Sequence, residues 1–502
     1  MNDAAVIDVG SNSVRLVLYR LEGRAVWTVF NEKVLAGLGR DLAVTGRLSP
    51  EGVEAAIAAL TRFKALLDAG RPAQIYAAAT AAVRDAKDGE AFCRRVKAET
   101  GLTLRVLSGK EEARFAAYGV AAGCPRGGGI VGDLGGASLE LIRLEDGEPG
   151  DGLTLPLGPF AMIDQGRFDP DRVKAVAMKA IAPVTARLKA DTLNAVGGAW
   201  RSLAILHMRM TDYPLEIVHQ YEMTRREALD AARIIARQSK SSLDRIEGIS
   251  RRRLETLPHA AAVMEAVVES LDIQRVVMSA YGLREGLLYD GMAPALRAQN
   301  PLIAGCAALG ARQGVNEDLA PALEAWLAPA FATLDPVFGQ RDPVLLAAAC
   351  RLADLGARLH PDHRADLLFE QVLRAPIAGM DHAERVFLAC AAFGRHTAAM
   401  TIPEPELVAR LLSHDRYRRA RALGSAMRLG CDLSGRSAEL LGHARLEFKP
   451  NTVLVQAEED WAGMLLGEQT AKRAAALATL LDREAKLRPV KGVFARKVVA
   501  AE

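Results

Sequence analysis

The chain has 502 residues, half of them hydrophobic and a quarter charged. That is a globular composition, too long for one hydrophobic core, so several domains are expected. The formal net charge of +3 does not call for nucleic acid, and no apolar run reaches the ~18 residues of a membrane span, so neither partner is expected. The six cysteines at 93, 124, 306, 350, 390 and 431 are scattered without metal-site spacing, and no basic-then-apolar leader precedes the first strand, so a reduced, cytoplasmic protein is expected.

In chain order, AVIDVGSNSVRLVLYRL predicts an apolar strand, a small-residue turn at Gly10–Ser13, and an alternating strand through Val14, Leu16 and Leu18. AVWTVFNEKV continues the sheet. A helix follows, with Ser49 as N-cap, Pro50 in its first turn, Val53, Ile57, Leu60 and Leu67 on one face, and Gly70 at its end. IYAAAT and TLRVLSG read as buried strands. LSGKEEARFAAYG then opens a helix in which Ser108 and Glu111 form a capping box. The adjacent Glu112, about 100° further round the helix, has no structural duty.

The first hairpin recurs. GIVGDLGGASLELIRL aligns with it at an offset of 125 residues, Asp8 on Asp133, Gly10 on Gly135, Ser13 on Ser138 and Leu16 on Leu141. LTLPLG, TLNAVGG with the helix AWRSLAILHM, and QRVVMSA with YGLREGLLY complete a second half, so two mixed sheets with helices are expected, related by duplication. Two Asp-x-Gly turns facing each other would form a phosphate clamp. The backbone N–H groups of Ser11, Asn12 and Ser13, and of Gly135, Gly136 and Ala137, supply anion donors, and the serine hydroxyls add to them. Asp8 and Asp133 at the strand ends suit a hydrated Mg²⁺.

With DVGSNSVRL, ATAAVRDAKDGEAF, LSGKEEARF, DLGGASLEL, AVGGAWRSLA and SAYGLREGLL in this order, the first 290 or so residues resemble the exopolyphosphatase/guanosine pentaphosphate phosphohydrolase (Ppx/GppA) family. That family sits within the actin-like ATPase and sugar kinase superfamily, so the resemblance implies an α/β fold of duplicated actin-like (ribonuclease H-like) domains. It further implies hydrolysis of the terminal phosphate of inorganic polyphosphate, with a divalent cation, in the cleft between the two halves. By the same resemblance Glu112 is the general base, and Asp133, with Asp8 and Glu140 through waters, holds Mg²⁺. Asn12, Ser13 and Ser138 hold phosphates, Arg84 matches a phosphate-contacting arginine, and Gly197 and Gly198 face a further phosphate or a nucleotide. The sequence departs from the family pattern at Asp88 (usually Asn), at Ala137 (often Gly), and at Ala199-Trp200, where a small Thr is usual. This last change weakens the case for a nucleotide there.

MAPALRAQNP reads as a linker, and Ala/Leu-rich helix follows to about residue 440. Long family members carry an HD-like helical domain here, but Ala353 stands before Asp354 where that motif has His, so with His360, His363, His382 and His396 left the domain is expected to be structural and metal-free. The final stretch predicts two strands around Lys449-Pro450-Asn451, a helix and a basic tail with a local +6 between residues 472 and 497. The expected domains are thus 1–125 and 126–297 (actin-like), 302–440 (degenerate HD-like) and 441–502 (small, α+β, basic). The expected partners are polyphosphate, guanosine pentaphosphate as the alternative substrate, and a second copy in a homodimer. An actin-fold kinase and a non-enzymatic scaffold are the remaining readings. The first finds no sugar-contacting constellation, and the second does not explain Glu112 beside two intact turns.

Overall fold

The computed structural model describes residues 2–124, 127–162, 168–238 and 251–494. The chain divides into two compact units, residues 1–298 and 299–502.

The first unit contains two sheets. In one, β1 (Asn2–Val9), β2 (Val14–Glu22), β3 (Ala25–Val34), β4 (Gln74–Ala79) and β5 (Arg105–Val106) are ordered β3-β2-β1-β4-β5. β1 is antiparallel to β2 and parallel to β4. Ala4, Ala5, Val6, Ile7 and Val9 of this strand are buried on both of its faces, which explains why the run up to Asp8 is continuously apolar rather than alternating. The second sheet repeats the plan. β6 (Gly129–Leu134) is antiparallel to β7 (Leu139–Glu145) and parallel to β10 (Thr192–Val196), which is parallel to β12 (Arg275–Met278). β8 (Glu148–Pro149) and β9 (Leu153–Leu155) pair with β7, and β11 (Glu222–Thr224) lies on the far edge beside β12.

The duplication extends to the turn hydrogen bonds. Gly10 N–H donates to the Ser13 carbonyl at 3.0 Å, and Gly135 N–H to the Ser138 carbonyl at 2.9 Å. It also extends to the register, with one telling difference. Asp8 stands opposite Arg15, whereas Asp133 stands opposite Glu140. One position of the repeat has inverted its charge.

The helix Pro50–Gly70 buries Ile57, Leu60 and Leu67 as its spacing predicts, but Ser49 caps without a side-chain bond, and Gly70 is its last residue rather than its stop. Arg71 takes the left-handed conformation (φ 43°) that closes it. Two helices set the geometry of the cleft. Gly109–Gly123 and Leu283–Asp290 pack together at glycines. A Cβ on Gly286 would lie 1.7 Å from the Phe115 carbonyl oxygen, and one on Gly119 would lie 2.1 Å from that of Gly282. No side chain but hydrogen fits at either position, and because the two contacts run in opposite order the helices pack antiparallel, with Arg114 Nη2 of the first helix 3.7 Å from Asp290 at the end of the second.

In the second unit the described residues from Pro301 to Leu441 form helices and connecting turns without a strand. A sheet of β13 (Ala444–Lys449), β14 (Thr452–Glu458) and β15 (Glu484–Val490) follows, with the helices Glu459–Leu465 and Glu468–Leu480 between β14 and β15. β13 and β14 match the two predicted strands. β15 falls where the sequence predicts a basic tail. It is parallel to β14, and its alternation leaves Lys486 and Arg488 exposed while Ala485 and Leu487 turn inward. Arg473, counted in the same +6, donates to Asp432 at 2.7 Å, so part of that charge is compensated; Arg496 and Lys497 lie outside the described residues. No helix is long and apolar enough to cross a membrane among the described residues.

Candidate active site

The hairpin turns of the two sheets face each other across a cavity of about 530 Å³. Ser11 and Gly136 nearly touch at its edge, since a Cβ on Gly136 would lie 3.1 Å from that of Ser11. Asp8, Ser11, Asn12 and Ser13 line one side, and Asp133, Gly135, Gly136, Ala137, Ser138 and Glu140 line the other. Gly197 and Gly198 also line it. Gly197 holds φ 109° and opens the helix Gly198–Met210, and a Cβ there would lie 2.5 Å from the Leu134 carbonyl oxygen, so this chain end has to be glycine. Trp200, two residues on, is fully buried and donates Nε1–H to the Ala260 carbonyl at 2.9 Å. It fills the core over Gly132 and does not touch the cavity.

The helix Gly109–Gly123 explains the paired glutamates. Glu111 Oε2 accepts from the Ser108 N–H at 2.9 Å, and the Glu111 N–H donates to Ser108 Oγ at 3.3 Å, the predicted capping box. The Ser108 backbone, its hydroxyl and Arg105 hold the Glu111 carboxyl below its ordinary range. Glu112 instead lines the cavity and is buried. Burial pushes its carboxyl up to about 7. Arg84 opposes this, while the charges of Asp133 and Asp8 add to it.

Arg84 does not line the cavity. It stands behind Glu112, with Nη1 donating to Glu112 Oε2 at 3.0 Å and to the Leu107 carbonyl at 3.1 Å, and Nε donating to Asp85 at 3.0 Å. Its guanidinium holds the Glu112 carboxylate in this structure. Asp133 is raised to about 6 by burial and by Asp8, against Arg201 and Arg284. Glu140 is raised well above its ordinary range by burial, then by Glu112 and Asp133. It is 1% exposed, and its Oε1 is buried without a hydrogen-bond partner.

Several cavity residues were not singled out from sequence. Arg284, at the start of Leu283–Asp290, donates to Asp8 Oδ2 at 3.1 Å, and its Nε is buried without a partner. Beside it Glu285 accepts from the Tyr19 hydroxyl at 2.7 Å. Arg15, Lys33, Phe160 and Arg201 also line the cavity. Arg15, Arg201 and Arg284 fall inside motifs quoted above, so position within those motifs was the available signal. Of the departures, Asp88 is structural, accepting from the Leu48 N–H at 3.0 Å.

The sequence profile of the Ppx/GppA phosphatase family matches residues 17–294, more than half of the chain. The chain belongs to the Ppx/GppA phosphatase family. The profile described as exopolyphosphatase, C-terminal, matches residues 311–488 of this member. Among curated relatives, exopolyphosphatase 1 of Mycobacterium tuberculosis is 30% identical over 300 residues, covering 56% of this chain and 86% of that protein. Exopolyphosphatase 1 of Mycobacterium leprae is 29% identical over 300 residues, covering 56% of this chain and 87% of that protein. Among solved structures, the Ppx/GppA family member of Aquifex aeolicus superposes with TM-score 0.51 at 26% identity, over 58% of this chain and 97% of that one. An exopolyphosphatase from Cytophaga hutchinsonii shares the fold with TM-score 0.54 at 22% identity, over 58% of this chain and 99% of that one. The mixed α/β architecture of the first unit is thus the actin-like Ppx/GppA fold.

Proposed function

We propose that this family member is an exopolyphosphatase that hydrolyses the terminal phosphoanhydride of inorganic polyphosphate, with Glu112 as general base. One observation carries the reading: a buried carboxylate, raised to about 7, sits in a cavity walled by two phosphate-clamp turns. A base is most effective with a pKa near the working pH. The name of the mycobacterial relatives supports polyphosphate over guanosine pentaphosphate as substrate.

Phosphoryl transfer to water needs positioning and charge stabilisation more than covalent help. Glu112, held by Arg84, orients a water and takes its proton as the water oxygen bonds to the terminal phosphorus. The bridging oxygen leaves with the shortened chain. The turn amides, Ser13 and Ser138 hold the phosphate oxygens, and Arg284 faces the same cavity from the other helix. The residues present fit a divalent cation. Glu140 Oε1 is buried and unpartnered, Asp133 lines the same cavity, and hard oxygen donors of this kind suit Mg²⁺. Asp8, already engaged by Arg284, would reach the ion through water. When bound, Mg²⁺ supplies neutralisation of phosphoryl charge. The domains, a homodimeric assembly and a helical region without a metal site are part of the same proposal.

The test is Glu112→Gln, which should lower kcat for phosphate release by ~10²–10⁴ while polyphosphate still binds. Glu111→Gln should leave kcat near wild type, since glutamine also completes a capping box. Full activity in Glu112→Gln would end the proposal.

A further inference from the structure

The second unit gathers cations that its carboxylates do not balance. Arg364 opens the helix Arg364–Arg374, while Arg395 and His396 end the helix His382–His396. Arg428 and Asp432 lie one turn apart on His414–Ser434, and Arg473 lies on Glu468–Leu480. Asp432 is shared by three of the arginines, with Arg473 Nε at 2.7 Å and both Arg395 Nη1 and Arg428 Nε at 4.0 Å. Asp354, the other carboxylate beside Cys431, is engaged by Arg436 at 3.2 Å. Arg364 makes no side-chain hydrogen bond or ion pair with the described residues.

An ion network that serves only packing looks different, and the first unit has one. Glu265 and Glu269 each bind both Lys174 and Arg233 at 2.7–2.8 Å, two anions against two cations. In the second unit, three guanidinium groups share one carboxylate, and a fourth, that of Arg364, lies close enough to act electrostatically on Arg428 and His396. The mismatch is also buried. Arg395 and His396 are 7% and 8% exposed, and Arg395 Nε and His396 Nδ1 are buried without a partner. His396 Nε2 is already committed to the Leu355 carbonyl at 2.9 Å. Burial, and then Arg395, push its imidazole down to about 4, with Arg364 and Arg428 adding to the effect. Access is retained, because the Arg428 and Arg473 side chains are 19% and 17% exposed.

We propose that these four arginines, converging from four helices, form a binding site for a small, multiply charged oxyanion of the phosphate class. Guanidinium groups bind phosphate oxygens bidentately and are the side chains suited to doing so in a partly desolvated place. An anion there would cancel the surplus charge and meet the orphaned Arg395 Nε–H. The inference does not depend on what the cleft of the first unit hydrolyses.

The experiment is hydrogen exchange on the full chain with inorganic diphosphate, orthophosphate or long-chain polyphosphate. At ten times the dissociation constant, diphosphate should slow opening of the segments around 395 and 428–432 about tenfold, and added salt should weaken this. Arg364→Gln with Arg428→Gln should abolish that protection while exchange in the Glu112 helix still responds to diphosphate. Arg364→Gln alone, which breaks no bond, should reduce it and keeps the test meaningful if the double variant folds poorly. No protection of these segments by diphosphate or orthophosphate, or protection that survives in both variants, would overturn the proposal. Protection by long chains alone would overturn it in favour of a polymer-binding surface.

Discussion

Replacing Arg84 separates two roles for this residue. If it holds Glu112, as the 3.0 Å bond indicates, then Arg84→Met removes the interaction that opposes the burial-driven rise of the Glu112 carboxyl. A hydrogen bond to a charged group contributes about 1.5–3 kcal/mol, and one pKa unit corresponds to about 1.4 kcal/mol. The Glu112 pKa should therefore climb from about 7 by roughly one to two units. The base works only when deprotonated, so the acid limb of kcat/KM moves to higher pH by the same amount. At pH 7, where the wild-type base is already half protonated, the rate should fall by roughly five- to fiftyfold, and near pH 9 it should come within about twofold of wild type. The assay is phosphate release from a short polyphosphate, measured from pH 5 to pH 10. A loss of rate that is the same at every pH, with the acid limb unmoved, would show that Arg84 acts on the phosphate and not on Glu112.

A linked effect should appear in stability. The Glu112 carboxyl is raised from 4.5 in the unfolded chain to about 7 in the fold, so its protonated form favours folding, and that contribution disappears as pH rises through 7. Glu112→Gln should then melt above wild type at pH 8–9, with the gap closing as pH falls toward 4.5; a constant offset would contradict the shift. Chelation should abolish turnover and Mg²⁺ restore it, and Asp133→Asn should raise the Mg²⁺ concentration needed for half-maximal rate, because an anionic ligand of a hard cation is lost. The exposed cations Lys486, Arg488 and Lys491 offer a surface for the part of a long chain that the cavity cannot hold. Reversing their charge should raise KM for long polyphosphate, most at low salt, and leave KM for short chains unchanged; equal changes for both lengths would refute it.

The repeat at Asp8 and Asp133, and the division of labour between Glu111 and Glu112, were legible because each rests on local pattern: an alternating hairpin, a capping residue three positions before its partner. What was not legible depends on distance. Arg284 meets Asp8 across 276 positions, and no spacing rule reports such a pair. Arg84 lies 28 residues from Glu112, so the sequence shows two charged groups without their contact. β15 escaped because EAKLRPV is polar at alternate positions and short of β-branched residues. Its pairing with β14 and the helix packed beneath it make it a strand. Arg71 in place of Gly70 shows the limit of a propensity rule at a helix end, where one residue either way satisfies the same carbonyl.

The inverted charge between the two hairpins has a consequence for a substrate whose two ends are chemically alike. A cleft made of two unaltered copies of one hairpin would be nearly indifferent to a half-turn about its own axis. Polyphosphate, equally indifferent, could then lie in either of two related poses, with only one of them presenting a terminal group to Glu112. Arg15 on one hairpin and Glu140 on the other would remove that degeneracy. Phosphate would be drawn toward the Arg15 wall, whereas Glu140 would hold it only through a bound cation, so the two poses would differ in energy before any chemistry begins. A single change of sign between duplicates would be enough to give the cleft a front and a back.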